Sequence, residues 1–147
     1  MEIDLVGASS STRQRRDYPD FLGNDGASAC AIAAAEGALE WCFPPAYQEF
    51  IELANGGAGW IGENYLILWP VEVLAPYNAD YQVQDLAPGL ILFGSSGGGE
   101  GYAFDTRPAS SAPAPSAIVR VPFIGMELKY AETIAADFPA FLANLKT

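Results

Sequence analysis

Eighteen acidic residues against seven basic ones in a chain of 147, with no histidine, give a net charge of −11, and half of the residues are apolar. Such a balance repels nucleic acid and anionic membranes and favours basic partners. The missing imidazole removes Ser-His-Asp and Cys-His nucleophile pairs and any ordinary zinc site, while chemistry resting on carboxylates or lysine alone stays open.

The length suits one domain, 1–147, with a core of its own. Met1-Glu2-Ile3-Asp4-Leu5-Val6-Gly7 carries acids where a secretory leader carries lysine or arginine, and its apolar run is too short for one. No stretch approaches the apolar length that spans a bilayer, so the expected location is the cytoplasm. A single disulfide is rare there, and Cys30 and Cys42 match neither a redox pair nor a metal spacing. They are expected as buried or partly buried thiols, with no metal and no cofactor. Ser9 to Arg16, with Arg13, Arg15 and Arg16, has no hydrophobic period and reads as a solvated arm, so 1–26 is expected to be loosely attached. From Asp17 onward the chain holds sixteen acidic and four basic residues, which makes the body more anionic than the whole.

Ser28 is a good N-cap for a helix from about Ala29 to Glu40, with Ile32, Glu36 and Leu39 in line and Gly37 weakening it. Pro44-Pro45 starts a second helix in which Tyr47, Phe50, Ile51 and Ala54 fall at i, i+3, i+4 and i+7. Glu49 and Glu52 face out as a solvated surface, and Asn55-Gly56-Gly57 supplies a left-handed stop. Trp60 to Asn64 leads into a continuous apolar strand, Tyr65 to Trp69. Pro70 to Pro76 ends it, with at most a short turn of helix, and Tyr77 to Ala87 reads as an acidic, aromatic surface connection.

Leu90-Ile91-Leu92-Phe93 reads as a strand covered on both faces, and Tyr102 to Asp105 as its hairpin partner. Alternation sets Tyr102 and Phe104 on one face and Ala103 and Asp105 on the other, which places Asp105 at or near the surface. Gly97, Gly98 and Gly99 between them lack the lysine or the following helix of a phosphate loop, and read as structural glycines of a wide connection. Arg107 to Ser116 is a proline, alanine and serine loop. Ala117 to Val121 is a further strand. A final helix is expected to carry Tyr130, Ile134, Phe138, Phe141, Leu142 and Leu145 on one face, kinked or restarted at Pro139 with Asp137 as a candidate cap. Helices at the ends and strands in the middle predict an α+β domain: a mostly antiparallel central sheet with two N-terminal helices and one C-terminal helix packed on it.

Three segments in order resemble one family. Phe43-Pro44-Pro45-Ala46-Tyr47-Gln48-Glu49-Phe50, running on to Asn55-Gly56-Gly57, is similar to its Pro-x-x-Tyr-x-x-Phe helix ending in Asn-Gly-Gly. Phe93 to Asp105 is similar to its glycine-rich strand pair, with Ser96 where an acidic residue is common. Pro122-Phe123-Ile124-Gly125-Met126 with the Phe138 to Leu142 helix is similar to its closing segment. The family is the SUKH superfamily, known from a yeast cell-wall regulator and from bacterial immunity proteins of polymorphic toxin systems, and the resemblance runs from about Ser28 to Leu145. It implies a non-catalytic protein that occupies and silences a cognate toxin domain, often a nuclease, or alternatively a regulatory interaction domain with no toxin partner. A carboxylate enzyme has no supporting constellation. Since a nuclease groove is basic, an anionic surface complements it. Glu63, Glu72, Asp80, Asp85, Glu100 and Asp105, on the connections and the hairpin, are the expected contacts to such a basic protein partner.

Overall fold

The computed structural model describes residues 20–107 and 117–146; the arginine arm and most of the proline, alanine and serine loop lie outside the described residues. The elements are β1 (Phe21–Gly23), α1 (Ala29–Leu39), α2 (Pro45–Leu53), β2 (Gly57–Ile61), β3 (Asn64–Leu68), α3 (Val71–Asp80), α4 (Val83–Leu86), β4 (Leu90–Ser95), β5 (Glu100–Asp105), β6 (Ile118–Pro122), a 3-10 turn (Leu128–Tyr130), β7 (Glu132–Ala135) and α5 (Phe138–Lys146). The strands form one seven-stranded sheet in chain order, each neighbouring pair antiparallel. The predicted α+β architecture is therefore present, with five α-helices among the described residues rather than three.

Local chemistry accounts for the first two helices. The Ser28 hydroxyl accepts the Ala31 N–H at 3.1 Å, and Ile32 and Ala35 are the buried positions of α1. In α2, Pro45 occupies the first turn, where no N–H is needed, and Tyr47 and Ile51 turn inward. Past its end Gly56 takes φ +82°, and a Cβ there would lie 2.7 Å from both the Leu68 carbonyl oxygen and the Pro70 nitrogen, so no larger residue fits this crossing.

Rings form the centre of the core. Tyr47 from α2 and Phe138 and Phe141 from α5 meet Phe93 and Phe104 of the β4–β5 hairpin at centroid distances of 4.9 to 6.0 Å. Tyr102 joins them through Phe141 at 4.8 Å. All six are 4% exposed or less. The register between β4 and β5 slips between Leu92 and Gly94, and this bulge turns Phe93 toward the cluster.

Beside β4 the sheet is completed in another way. β3 pairs with β4 only at Ile67↔Ser95 and Leu68↔Gly94, after which Pro70 carries the chain away. The edge thus exposed is met by the side chain of Asn78 from α3. Its amide donates to the Leu92 carbonyl at 3.0 Å and its carbonyl oxygen accepts the Leu92 N–H at 2.9 Å, the two bonds a neighbouring strand would supply. Gln84 of α4 likewise donates to the Leu90 carbonyl at 2.9 Å.

Several expectations are corrected. Tyr77 to Ala87 is no surface connection: it carries the end of α3 and all of α4, and the short turn of helix expected over Pro70 to Pro76 is the start of α3, with Pro76 tolerated inside it. Tyr130 and Ile134 do not lie on the last helix: Tyr130 sits in the 3-10 turn and Ile134 in β7, because pairing with β6 overrides the helical spacing. The helix restarts at Phe138, where Asp137 accepts the Ala140 N–H at 2.9 Å and takes up a free donor of its first turn. Phe21, within the segment expected to be loose, is 1% exposed and belongs to a strand paired with β2. Cys30 and Cys42 are both exposed, since neither falls on the inward stripe of its segment.

Candidate partner-binding surface

The six acids singled out from the sequence fall in different settings. Glu63 is exposed in the turn between β2 and β3. Glu72 is exposed in the first turn of α3, where a carboxylate suits the helix dipole, and accepts a bond from Asn55 at 2.8 Å. The other end of the Asn55 amide accepts the Val71 N–H at 2.8 Å, so Asn55 and Glu72 fasten the Asn-Gly-Gly turn to the start of α3. Glu100 is half-buried and faces Arg120 at 3.5 Å, and Arg120 also reaches Glu132 at 3.1 Å.

Asp105 contradicts the expectation of a surface acid. It is fully buried, because β5 is covered on both faces and alternation there does not lead to water. Arg107 folds back on it with two side-chain bonds, of 2.9 and 2.7 Å, and the Arg107 N–H adds a third at 3.0 Å. Burial alone would push the carboxyl pKa up; the bonds and charge of Arg107 outweigh it and hold the group below its ordinary value. Asp105 is thus an internal tie and not a contact residue.

Asp80 and Asp85 are brought together with a feature missed in the sequence. Asp80 is the last residue of α3, an unfavourable end for a carboxylate, and Asp85 lies in α4; both are exposed, and neither has an ion pair among the described residues. Between them Tyr81 stacks on Phe123, with centroids 4.7 Å apart and planes 19° apart. Trp69 lies nearly parallel to Tyr81 at 6.1 Å and receives the edge of Tyr77 at 5.0 Å. Trp69 is largely covered, but Tyr77 and Tyr81 are 39% and 40% exposed. A recess of about 520 Å³ is lined by Asp85, Leu86, Gly125, Met126 and Glu127, which follow Tyr81 and Phe123 in the chain. Leu86, in its lining, is 44% exposed, and Ile124, next to Gly125 in the chain, is 94% exposed.

An apolar centre with an acidic edge is the composition of a protein-binding patch, and aromatic rings held in place by their neighbours lose little entropy on binding. One signal for it was legible: Tyr77 and Tyr81 are spaced i, i+4, and share a face once α3 is recognised as a helix.

The five glycines take structural positions. Gly56 makes the crossing described above and Gly57 opens β2. Gly97 and Gly99 have φ of +81° and +100°, and Gly98 does not share this. Within that loop the Gly97 and Gly98 N–H groups donate to the Ser95 and Ser96 hydroxyls, each at 3.2 Å, so two of its donors are turned inward. Among the described residues there is no cluster of three or more Cys, Asp or Glu side chains that could hold a metal ion, and no helix long and apolar enough to cross a membrane.

The model of the SMI1 / KNR4 family (SUKH-1) matches residues 26–144 of the chain. No curated protein matches the chain.

Proposed function

The chain belongs to the SMI1 / KNR4 family (SUKH-1), and from that premise we propose that it is a non-catalytic immunity protein that binds and neutralises a cognate toxin domain with a basic, nuclease-like surface. The observation that carries this reading is the two exposed rings Tyr77 and Tyr81, held against Trp69 and Phe123 and flanked in the chain by Asp80 and Asp85, two carboxylates with no ion pair among the described residues. Rings of this kind supply most of the energy of an interface, and acids at the rim steer a cationic partner toward it. Long-range attraction also fits a body with sixteen acids against four bases from Asp17 onward.

The test is calorimetric titration against the C-terminal domain of a toxin encoded beside this protein. Tyr81→Ala is expected to weaken binding by ten- to a hundredfold, as loss of an interface anchor does. A toxin that is not bound by the wild type would reject the immunity reading in favour of a regulatory interaction domain. Binding that is indifferent to Tyr81→Ala would move the contact surface elsewhere.

A further inference from the structure

A second concavity is lined by the end of α1 and by the corner between α3 and α4. Its volume is about 590 Å³, within the range of ligand sites. Glu40 and Asp85 contribute carboxylates to its lining, no lysine or arginine does, and neither acid has an ion pair among the described residues. Trp41, Ala79 and Ile91 supply apolar wall. Two polar groups of its lining are already engaged: Asn78 holds Leu92, and the Thr106 hydroxyl donates to the Gly89 carbonyl at 2.7 Å. They fix the shape of the groove and leave its carboxylates for an incoming group.

The backbone at its rim is unusual as well. Glu40 and Gln82, the two non-glycine residues with positive φ among those described, both line this groove, at φ 56° and 55°. Left-handed backbone is unfavourable for side chains with a Cβ, and here it occurs at two separate corners that meet in one cavity.

We infer that this groove receives an arginine side chain of a partner peptide segment, its methylene stem against Trp41 and Ile91 and its guanidinium between Glu40 and Asp85. The lining holds what that side chain needs: apolar groups and the Trp41 ring for the stem, and two carboxylates for the planar cation. A guanidinium bonds a carboxylate with two parallel N–H groups and stacks on a ring, which the point charge of a lysine does less well. Asp85 borders both this groove and the recess beside the aromatic stack, so one partner can occupy the two together. The inference names a side chain and a subsite, and holds for a toxin or for any other arginine-bearing protein.

The experiment is a two-dimensional amide NMR titration of the whole chain with acetyl-Ala-Arg-Ala-amide, and with the same peptide carrying citrulline or lysine in place of arginine. Expected are saturable shifts centred on Glu40, Trp41, Gln82 and Ile91. The neutral citrulline peptide should bind at least tenfold more weakly and the lysine peptide severalfold more weakly. Glu40→Gln with Asp85→Asn should weaken the arginine peptide at least tenfold, whereas Glu132→Gln, on β7 and outside the groove, should change it less than twofold. Retained dispersion of the spectrum certifies that the variants are folded. Shifts centred elsewhere, no saturable shift, equal binding of citrulline, or indifference to the paired substitution would each overturn the inference. Because the probe is a peptide and not a toxin, failure here leaves the calorimetric test of the immunity reading intact, and the reverse.

Discussion

Around α2 and α5 the sheet is covered by rings, with Tyr47, Phe138 and Phe141 packed on Phe93 and Phe104; around α3 and α4 it is met by amides, with Asn78 and Gln84 bonded to the backbone of β4. Ring packing is non-directional and tolerant of small shifts, and it provides most of the driving force for folding. Amide bonding is directional, and its chief effect is to avoid the cost of unpaired backbone at a strand edge. The difference divides labour between scaffold and surface. The aromatic stack, the acidic edge and both concavities lie where amides hold the helices, and the ring-packed side exposes none of them.

Breaking each side in turn should show this. Phe93→Ala removes the ring shared by both core helices and is expected to cost about 3–5 kcal/mol in urea denaturation, affecting the whole cooperative unit. Asn78→Ala leaves the Leu92 N–H and carbonyl without partners in a buried setting and is expected to cost roughly 2–4 kcal/mol. It should also raise amide hydrogen exchange at Leu92 and along α3 well before the ring-packed side responds. Uniform exchange across the molecule in Asn78→Ala would erase the distinction drawn between the two sides.

Smaller effects sharpen it. The Asp105 carboxyl has a lower pKa folded than its ordinary 3.8, so its pairing with Arg107 contributes stability that is present above that value and lost as pH falls below it. Asp105→Asn should cost about 1–2 kcal/mol at neutral pH and remove this part of the acid loss, seen by comparing melting temperatures at pH 7 and pH 3. Tyr47 marks the one polar flaw in the ring cluster. Its hydroxyl is buried without a hydrogen-bond partner among the described residues, and burial raises its pKa far above the ordinary 10.0. Tyr47→Phe is expected to be neutral or stabilising by up to about 1 kcal/mol. A folded pKa raised in this way makes stability fall as pH rises above about 10, and the same variant should lose that contribution. A destabilised Tyr47→Phe would mean that the hydroxyl has a partner after all.

The ring-packed side was largely legible in the sequence, and the amide-held side was not. Tyr47, Ile51 and Ala54 announce α2 by their spacing, and the apolar run Leu90 to Phe93 announces β4, because burial of apolar side chains writes a period into the chain. Asn78 and Asn55 act through side-chain hydrogen bonds and leave no period; Pro76 and the acids around it made α3 look like a loop. β2 was hidden by two glycines in five residues. β1 is three residues long, held by pairing that no local pattern records. The acids were found by composition, but their settings depended on the fold: Asp105 is buried in a pair with Arg107, and Glu100 is paired with Arg120.

The proposed division between scaffold and partner surface is tested most directly by association kinetics, at low and physiological salt, with the C-terminal domain of a toxin of the proposed class. Two charge-reversed variants are compared with the wild type: Asp80→Lys with Asp85→Lys on the amide-held side, and Glu63→Lys with Glu100→Lys away from it. Both pairs change the net charge equally, and a field screened over about 8 Å at physiological salt acts mainly on nearby groups. The first pair should slow association at least tenfold at physiological salt and weaken its salt dependence, while the second should change it less than threefold. Equal slowing by both pairs, or the larger loss from Glu63 and Glu100, would contradict the assignment of the partner surface to α3 and α4.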